Sequence, residues 1–349
     1  MSRTRSFWVG ALALCSLVCF GLAPAHAQVR DTSAKASSAK KSTAYSAARS
    51  QTRKTKLAQA RAVATAREMA ATVLPRYKVD ANGDLVPDLR AAAAIIYDPE
   101  TNQVLWEEHS QDQRSIASIT KMMTATVFLE DNPDLSESVT VARSDVFQAS
   151  TTHLRANDKV STDDLLHLLL IASDNAAARA LARVSKWGSD GFVARMNQKA
   201  AELGLENTHY ADPSGLLSEN VSSAYDMARL ITHVSGDERI STVMRTQEYT
   251  VRTQNKLART VTFHSTNHLL GRSDVDVRAG KTGFISKSGY CLATLLRMPD
   301  GGPSVAVVVL GARSNASRFM ETENLFSWMS SKSTTLFGTK PPTQQQQQQ

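Results

Sequence analysis

The chain has 349 residues, 42% of them hydrophobic and 21% charged, with a formal net charge of +7 at pH 7. That length supports one large domain or two modest ones with a real core. The positive excess sits in one stretch: residues 28–80 hold 12 Lys or Arg against 3 Asp or Glu, so the later residues are net acidic and a whole-protein case for nucleic-acid binding falls away.

Residues 1–27 read as an export signal. Arg3 and Arg5 form a short basic region, residues 7–22 are apolar, and Ala25-His26-Ala27 is a small-x-small site that predicts cleavage after Ala27. The apolar stretch is shorter than the roughly 20 residues a spanning helix needs, and an uncleaved anchor is the bland alternative. No later stretch is long enough, so no transmembrane segment is expected after signal cleavage. Cys15 and Cys19 follow Leu14 and Val18, which argues against a lipoprotein anchor. Both leave with the signal, and Cys291 alone cannot form an internal disulfide. The expected location is the periplasm of a bacterial envelope.

Residues 28–84 are dominated by Ala, Ser, Thr, Lys and Arg. Such a segment cannot bury enough apolar surface to fold alone and reads as a flexible basic linker. Residues 56–73 are Ala-rich and could be helical, but a solvated spacer is the simpler reading. The sharper one is contact of this basic linker with an anionic envelope surface. Residues 341–349 are a Pro/Gln tail, expected to be disordered.

The folded domain is expected over residues 85–340. Residues 92–97 and 103–106 are apolar runs around the turn Asp98-Pro99-Glu100-Thr101-Asn102, which predicts a β-hairpin. Helices are expected over 118–128, 163–171, 175–184, 191–203 and 225–234, the last opened by a capping box at Ser223-Ala-Tyr-Asp226. Strands are expected over 249–252, 260–264, 278–284, 290–297 and 305–312. Residues 316–330 close the domain as an amphipathic helix, better read as docking on the sheet than as touching a membrane. The order implies an α+β fold: one sheet carrying helices, with a helical subdomain inserted between the first strands and the later ones.

Three short motifs fall in order: Ser118-Ile119-Thr120-Lys121, Ser173-Asp174-Asn175 and Lys281-Thr282-Gly283. Each alone is weak; Ser-x-x-Lys recurs without meaning at Ser37/Lys40 and Ser38/Lys41. Their ordered combination is the signal. An alcohol needs an adjacent base to act as a nucleophile, and residues i and i+3 share a helix face, so Lys121 can reach the Ser118 hydroxyl. Lys121 must be neutral to accept a proton; burial, and Lys281 as a second cation, would both lower its pKa. Ser173 could relay the proton to the leaving amine, and Asn175 could hold a substrate amide or orient Lys121. Lys281 and Thr282 suit a free carboxylate, and Gly283 clears space for substrate along a strand. The backbone N–H groups of Ser118 and Phe284 are the natural oxyanion-hole pair. Asp212-Pro213-Ser214-Gly215 reads at least as well as a plain turn, and Cys291 as core. His264 and His268 do not converge in a strand-and-loop region, and no H-E-x-x-H pattern exists, so neither a metal nor any other cofactor is expected.

The stretches Ala117–Ala125, Ser173-Asp174-Asn175-Ala176-Ala177, Asp212–Leu216 and Gly280–Phe284 together resemble the motifs of low-molecular-weight penicillin-binding proteins, the serine D-alanyl-D-alanine peptidases, over residues 92–326. The resemblance implies the penicillin-recognising, β-lactamase-like fold: a five-stranded antiparallel sheet flanked by helices, plus an all-helical subdomain. It also implies acylation of Ser118, with Lys121 as proton acceptor, Ser173 as shuttle and Lys281 in substrate binding. The expected partners are peptidoglycan stem peptides, with β-lactams as covalent inhibitors. Many relatives carry a second β-domain and a C-terminal amphipathic helix; neither is expected here, which resembles the soluble endopeptidase branch that cuts cross-links, with a carboxypeptidase as the other choice. A serine β-lactamase is the nearest rival, but its class A form needs a deacylating base in a Glu-x-x-Leu-Asn loop, and Glu202, Glu206 and Glu219 do not stand in that pattern. A non-catalytic wall-binding module is the second rival.

Overall fold

The computed structural model describes residues 75–336, together with the helical residues 55–56, 58–64 and 66–67. The expected signal, most of the expected linker and the C-terminal tail lie outside the described residues. At the end of the segment read as linker, β1 (Tyr77–Val79) pairs antiparallel with β2 (Leu85–Pro87). Asp80 closes the turn by accepting from the backbone of Asn82 and Asp84 at 2.9 Å each, the usual Asx chemistry.

The central element is a five-stranded antiparallel sheet. Its strands are β3 (Ala93–Asp98), β4 (Gln103–Glu108), β11 (Asp276–Ile285), β12 (Gly289–Arg297) and β13 (Ser304–Ala312), in the order β11-β12-β13-β3-β4. The apolar runs 93–97 in β3 and 305–312 in β13 follow from burial on both faces. Along β13, Ala306, Val308 and Leu310 face the helical subdomain, while Val305, Val307 and Val309 face the closing helix, the two-residue alternation of a strand. That helix, α8 (Asn315–Leu336), buries Phe319, Leu325, Phe326 and Met329 against the sheet. Each such side chain contributes roughly 1.5–3 kcal/mol, so docking on the sheet accounts for its apolar stripe.

On the other face α6 (Ala224–Ser235) packs across β3, β12 and β13 and α7 (Glu238–Met244) against β11, while α1 (Lys121–Leu129), α2 (Arg143–Val146), α3 (Thr162–Leu170), α4 (Asn175–Val184) and α5 (Gly188–Glu202) build the helical subdomain. Every residue of α1 is buried, which explains why its sequence shows no polar face. The Ser223 side chain accepts from Asp226 N, capping α6 as the sequence indicates. The short pairs β5 (Arg114–Ser115) with β8 (Val221–Ser222) and β6 (Ser138–Thr140) with β7 (Lys159–Ser161) had no clear signature. The expected strands at 249–252 and 260–264 form, as β9 (Glu248–Arg252) and β10 (Thr260–His264), but as a separate hairpin outside the main sheet.

Candidate active site

The three motifs meet at the open edge of β11. Ser118 lies in a 3₁₀ turn (Ala117–Thr120) that runs directly into α1. It is half-buried, whereas Lys121, one turn on, is fully enclosed. Ser173 sits in the loop before α4, and Asn175 is the first residue of that helix, which Asp174 caps by accepting from Ala177 N at 3.0 Å. Ala117 and Ser173 both have positive φ, 49° and 58°. Backbone conformations of this kind concentrate where a fold holds reactive groups in place.

Lys121 Nζ donates to three oxygens: Ser118 Oγ at 2.9 Å, Asn175 Oδ1 at 2.6 Å and the Ser214 carbonyl at 2.5 Å. The Asn175 amide is oriented from its other end, where Nδ2 donates to the Ala149 carbonyl at 2.7 Å. This has a chemical consequence. A neutral amine keeps two N–H groups and one lone pair. Asn175 Oδ1 and the Ser214 carbonyl can only accept, so they take the two N–H groups and the lone pair faces the Ser118 hydroxyl. Burial lowers the Lys121 pKa to about 7, with Asp174 and Asp212 opposing and Arg179 adding a further lowering.

The charges that act most on Lys121 are those of Asp174, Asp212 and Arg179. Burial pushes Lys281 itself well below the usual lysine range, followed by the charges of Lys121 and Arg318. Its Nζ donates to Ser173 Oγ at 2.8 Å and to the Thr282 carbonyl at 2.9 Å, behind the cleft wall rather than in it.

The cleft is a groove of ≈ 560 Å³ whose lining includes Ser118, Thr151, Ser173, Thr266, Thr282, Phe284 and Arg318. Among the described residues no carboxylate lines it. Thr282 Oγ1 is 2.6 Å from Thr266 Oγ1, so paired hydroxyls, with the Arg318 guanidinium in the same lining, could hold a carboxylate. Burial lowers the Arg318 pKa to about 10, which leaves it charged at neutral pH.

Gly283 has a different reason from the one its sequence suggests. A Cβ there would meet the Ile116 carbonyl at 2.6 Å and Ser118 N at 3.2 Å. The glycine lets β11 touch the turn that carries Ser118; it does not open space for substrate. Gly215, at φ +78°, is packed as closely: its Cβ would stand 2.1 Å from the Ala117 carbonyl. The Asp-Pro-Ser-Gly segment is thus a turn with a function. Asp212 Oδ1 accepts from Ser214 N at 2.6 Å and Gly215 N at 2.9 Å, and Oδ2 from Leu217 N at 2.7 Å. These bonds aim the Ser214 carbonyl at Lys121. Sequence reasoning missed that carbonyl, and it missed Thr266 and Arg318. Arg318 left a trace, as a charge inside the apolar stripe of α8; Thr266 left none.

A family model described as D-alanyl-D-alanine carboxypeptidase, peptidase family S11, matches residues 80–314. The chain is 33% identical over 245 residues to a D-alanyl-D-alanine endopeptidase of Escherichia coli (strain K12), covering 70% of this chain and 78% of that protein. It is 34% identical over 247 residues to a D-alanyl-D-alanine endopeptidase of Pseudomonas aeruginosa, covering 70% and 79%. The fold is similar to the crystal structure of the Streptomyces K15 DD-transpeptidase, with a TM-score of 0.65 and 30% identity, over 69% of this chain and 97% of that one.

Proposed function

The chain belongs to the D-alanyl-D-alanine carboxypeptidase family of peptidases, and from that premise we propose that Ser118, Lys121 and Ser173 are the catalytic residues of a serine D,D-peptidase acting on peptidoglycan stem peptides. The convergence on Lys121 Nζ carries the assignment: two fixed acceptors turn its lone pair onto Ser118. Lys121 takes the Ser118 proton as Oγ attacks the carbonyl of the penultimate D-alanine. The backbone N–H groups of Ser118 and Phe284 hold the oxyanion. The proton passes through the Ser173 hydroxyl to the leaving amine, the C–N bond breaks, and an acyl-Ser118 ester remains. Water then hydrolyses the ester and restores Ser118.

Asn175 acts here by orienting Lys121, since both ends of its amide are engaged within the protein. Thr282, with Lys281 behind it, receives the carboxylate on the leaving side. Gly283 contributes by letting the strand approach Ser118. β11 is the last strand of the sheet, so its free edge can pair with an extended peptide. β-Lactams, which present an acylating carbonyl beside a carboxylate, fit the same groups as covalent inhibitors. Export to the periplasm through cleavage after Ala27 completes the reading, as does contact of the basic linker with anionic envelope polymers. Among the described residues no helix is long and apolar enough to cross a membrane.

The endopeptidase names of the relatives favour cross-link cleavage over removal of terminal D-alanine. Purified cross-linked muropeptide dimer and a D-Ala-D-Ala pentapeptide monomer separate the two by chromatography. Conversion of dimer to monomers marks an endopeptidase, and release of free D-alanine alone marks a carboxypeptidase.

A further inference from the structure

The tip of the β9–β10 hairpin carries Leu257 with 92% of its surface exposed. A lone exposed leucine means little by itself, but this one stands on a fixed base. Gln254 N donates to the Lys159 carbonyl at 2.7 Å, and Lys159 N donates to Asn255 Oδ1 at 2.9 Å. Asn255 Nδ2 donates to the Asn157 carbonyl at 2.8 Å, and Ser138 Oγ to Gln254 Oε1 at 2.6 Å. These bonds tie the tip to the start of β7 while the leucine projects into water.

The charge around it is one-sided. Lys159, Lys256 and Leu257 line one shallow hollow. Arg252 at the end of β9 and Arg155 in the segment before β7 are exposed as well. Arg259 is bonded to Asp158 at 2.5 Å, which cancels both charges, and residues 249–263 hold no Asp or Glu. Even counting Glu137, which precedes Ser138, the group stays net positive, in a stretch of chain after residue 80 that is net acidic.

An apolar side chain projecting from among Lys and Arg matches an anionic lipid surface. The leucine enters the acyl boundary while the cations meet headgroup phosphates. An anionic wall polymer would pair with the cations and offer the leucine nothing apolar. From the tip, β10 leads back to Thr266 in the cleft, a path of about 20 Å at the rise of a strand.

We propose that the hairpin tip, Leu257 with Arg155, Lys159, Arg252 and Lys256, is a docking site for an anionic phospholipid surface, which holds the cleft close above the bilayer. This surface is separate from the basic linker, and the inference does not depend on the peptidase reading.

The test uses the chain lacking residues 1–27, linker included, with vesicles of equal parts phosphatidylglycerol and phosphatidylcholine. Two readouts are taken. Cosedimentation gives the partition coefficient, which should fall by about tenfold or more in the double variant Lys256→Glu, Leu257→Ser. Penicillin labelling at the wild-type rate shows that this variant is folded. In Leu257→Cys, labelled with an environment-sensitive dye while Cys291 stays buried, the emission should move to shorter wavelengths on adding vesicles. A protein that sediments with its dye still in water, or a double variant that partitions like wild type, would assign the binding to the linker and overturn the docking site. A wild type that ignores the vesicles but is retained by purified cell-wall sacculi would overturn it in favour of a wall polymer.

Discussion

Lys121 Nζ lies 2.9 Å from Ser118 Oγ, and both residues sit on one turn of backbone. With the Lys121 pKa lowered to about 7 by burial, the amine is protonated and inert below that pH and competent above it. Acylation by a fluorescent penicillin should therefore rise about tenfold per pH unit below pH 7 and level off above it. Stopped-flow labelling between pH 5 and 9 measures this. In Lys121→Arg the labelling should be lost at every pH, because a guanidinium does not deprotonate in this range.

The two tight glycines give a steric test. Gly283→Ala sets a methyl 2.6 Å from the Ile116 carbonyl. The strand or the nucleophile turn must shift, at a cost of about 1–3 kcal/mol. A lowered melting temperature together with a fall of roughly a hundredfold in penicillin labelling is expected. Labelling at the wild-type rate would mean that the contact does not position Ser118.

Removing the Asp212 carboxylate frees the loop that aims the Ser214 carbonyl. Asp212→Ala leaves several donors without partners, including the backbone N–H groups of Ser214, Gly215 and Leu217, and should destabilise by about 2–4 kcal/mol. Burial pushes the Asp212 carboxyl up, but bonds from Ser214, Leu217 and Asn220 outweigh it and hold the pKa below the usual range. The folded pKa is thus lower than the unfolded one. Its stabilisation is present above the ordinary aspartate pKa and fades as pH falls through the folded value. Denaturant unfolding from pH 3 to 7 should show that slope in wild type and a smaller one in the variant.

Among the described residues no carboxylate lines the cleft, so none of them stands where a base drives water onto a penicilloyl ester in class A β-lactamases. The ester should be long-lived. Nitrocefin should give about one equivalent of colour per enzyme and then stop; sustained turnover over many cycles would make the protein a β-lactamase.

Much of the site could be read before the fold was known, because Ser118 to Lys121 is one helical turn and periodicity alone puts those side chains together. The ordered motifs also placed Ser173 and Lys281 near them. What stayed hidden is what sequence spacing does not carry. The Ser214 acceptor is a backbone carbonyl, and Asp212, which aims it, looks like any residue of a Pro-Gly turn. The reason for Gly283 is a contact between elements more than 160 positions apart. In the fold, the β9–β10 hairpin has strand-like composition, and composition says nothing about which sheet a strand joins. α1 is buried all round, so its helical phase was legible only through the Ser-x-x-Lys motif.

The most direct test is the intact mass of the purified protein after incubation with benzylpenicillin, followed by peptide mapping and repeated with Ser118→Ala. A single stable addition of one drug molecule, mapped to the peptide bearing Ser118 and absent from the variant, is the predicted result. An unmodified wild-type protein, or an adduct that persists in Ser118→Ala, would contradict the assignment of Ser118 as the nucleophile.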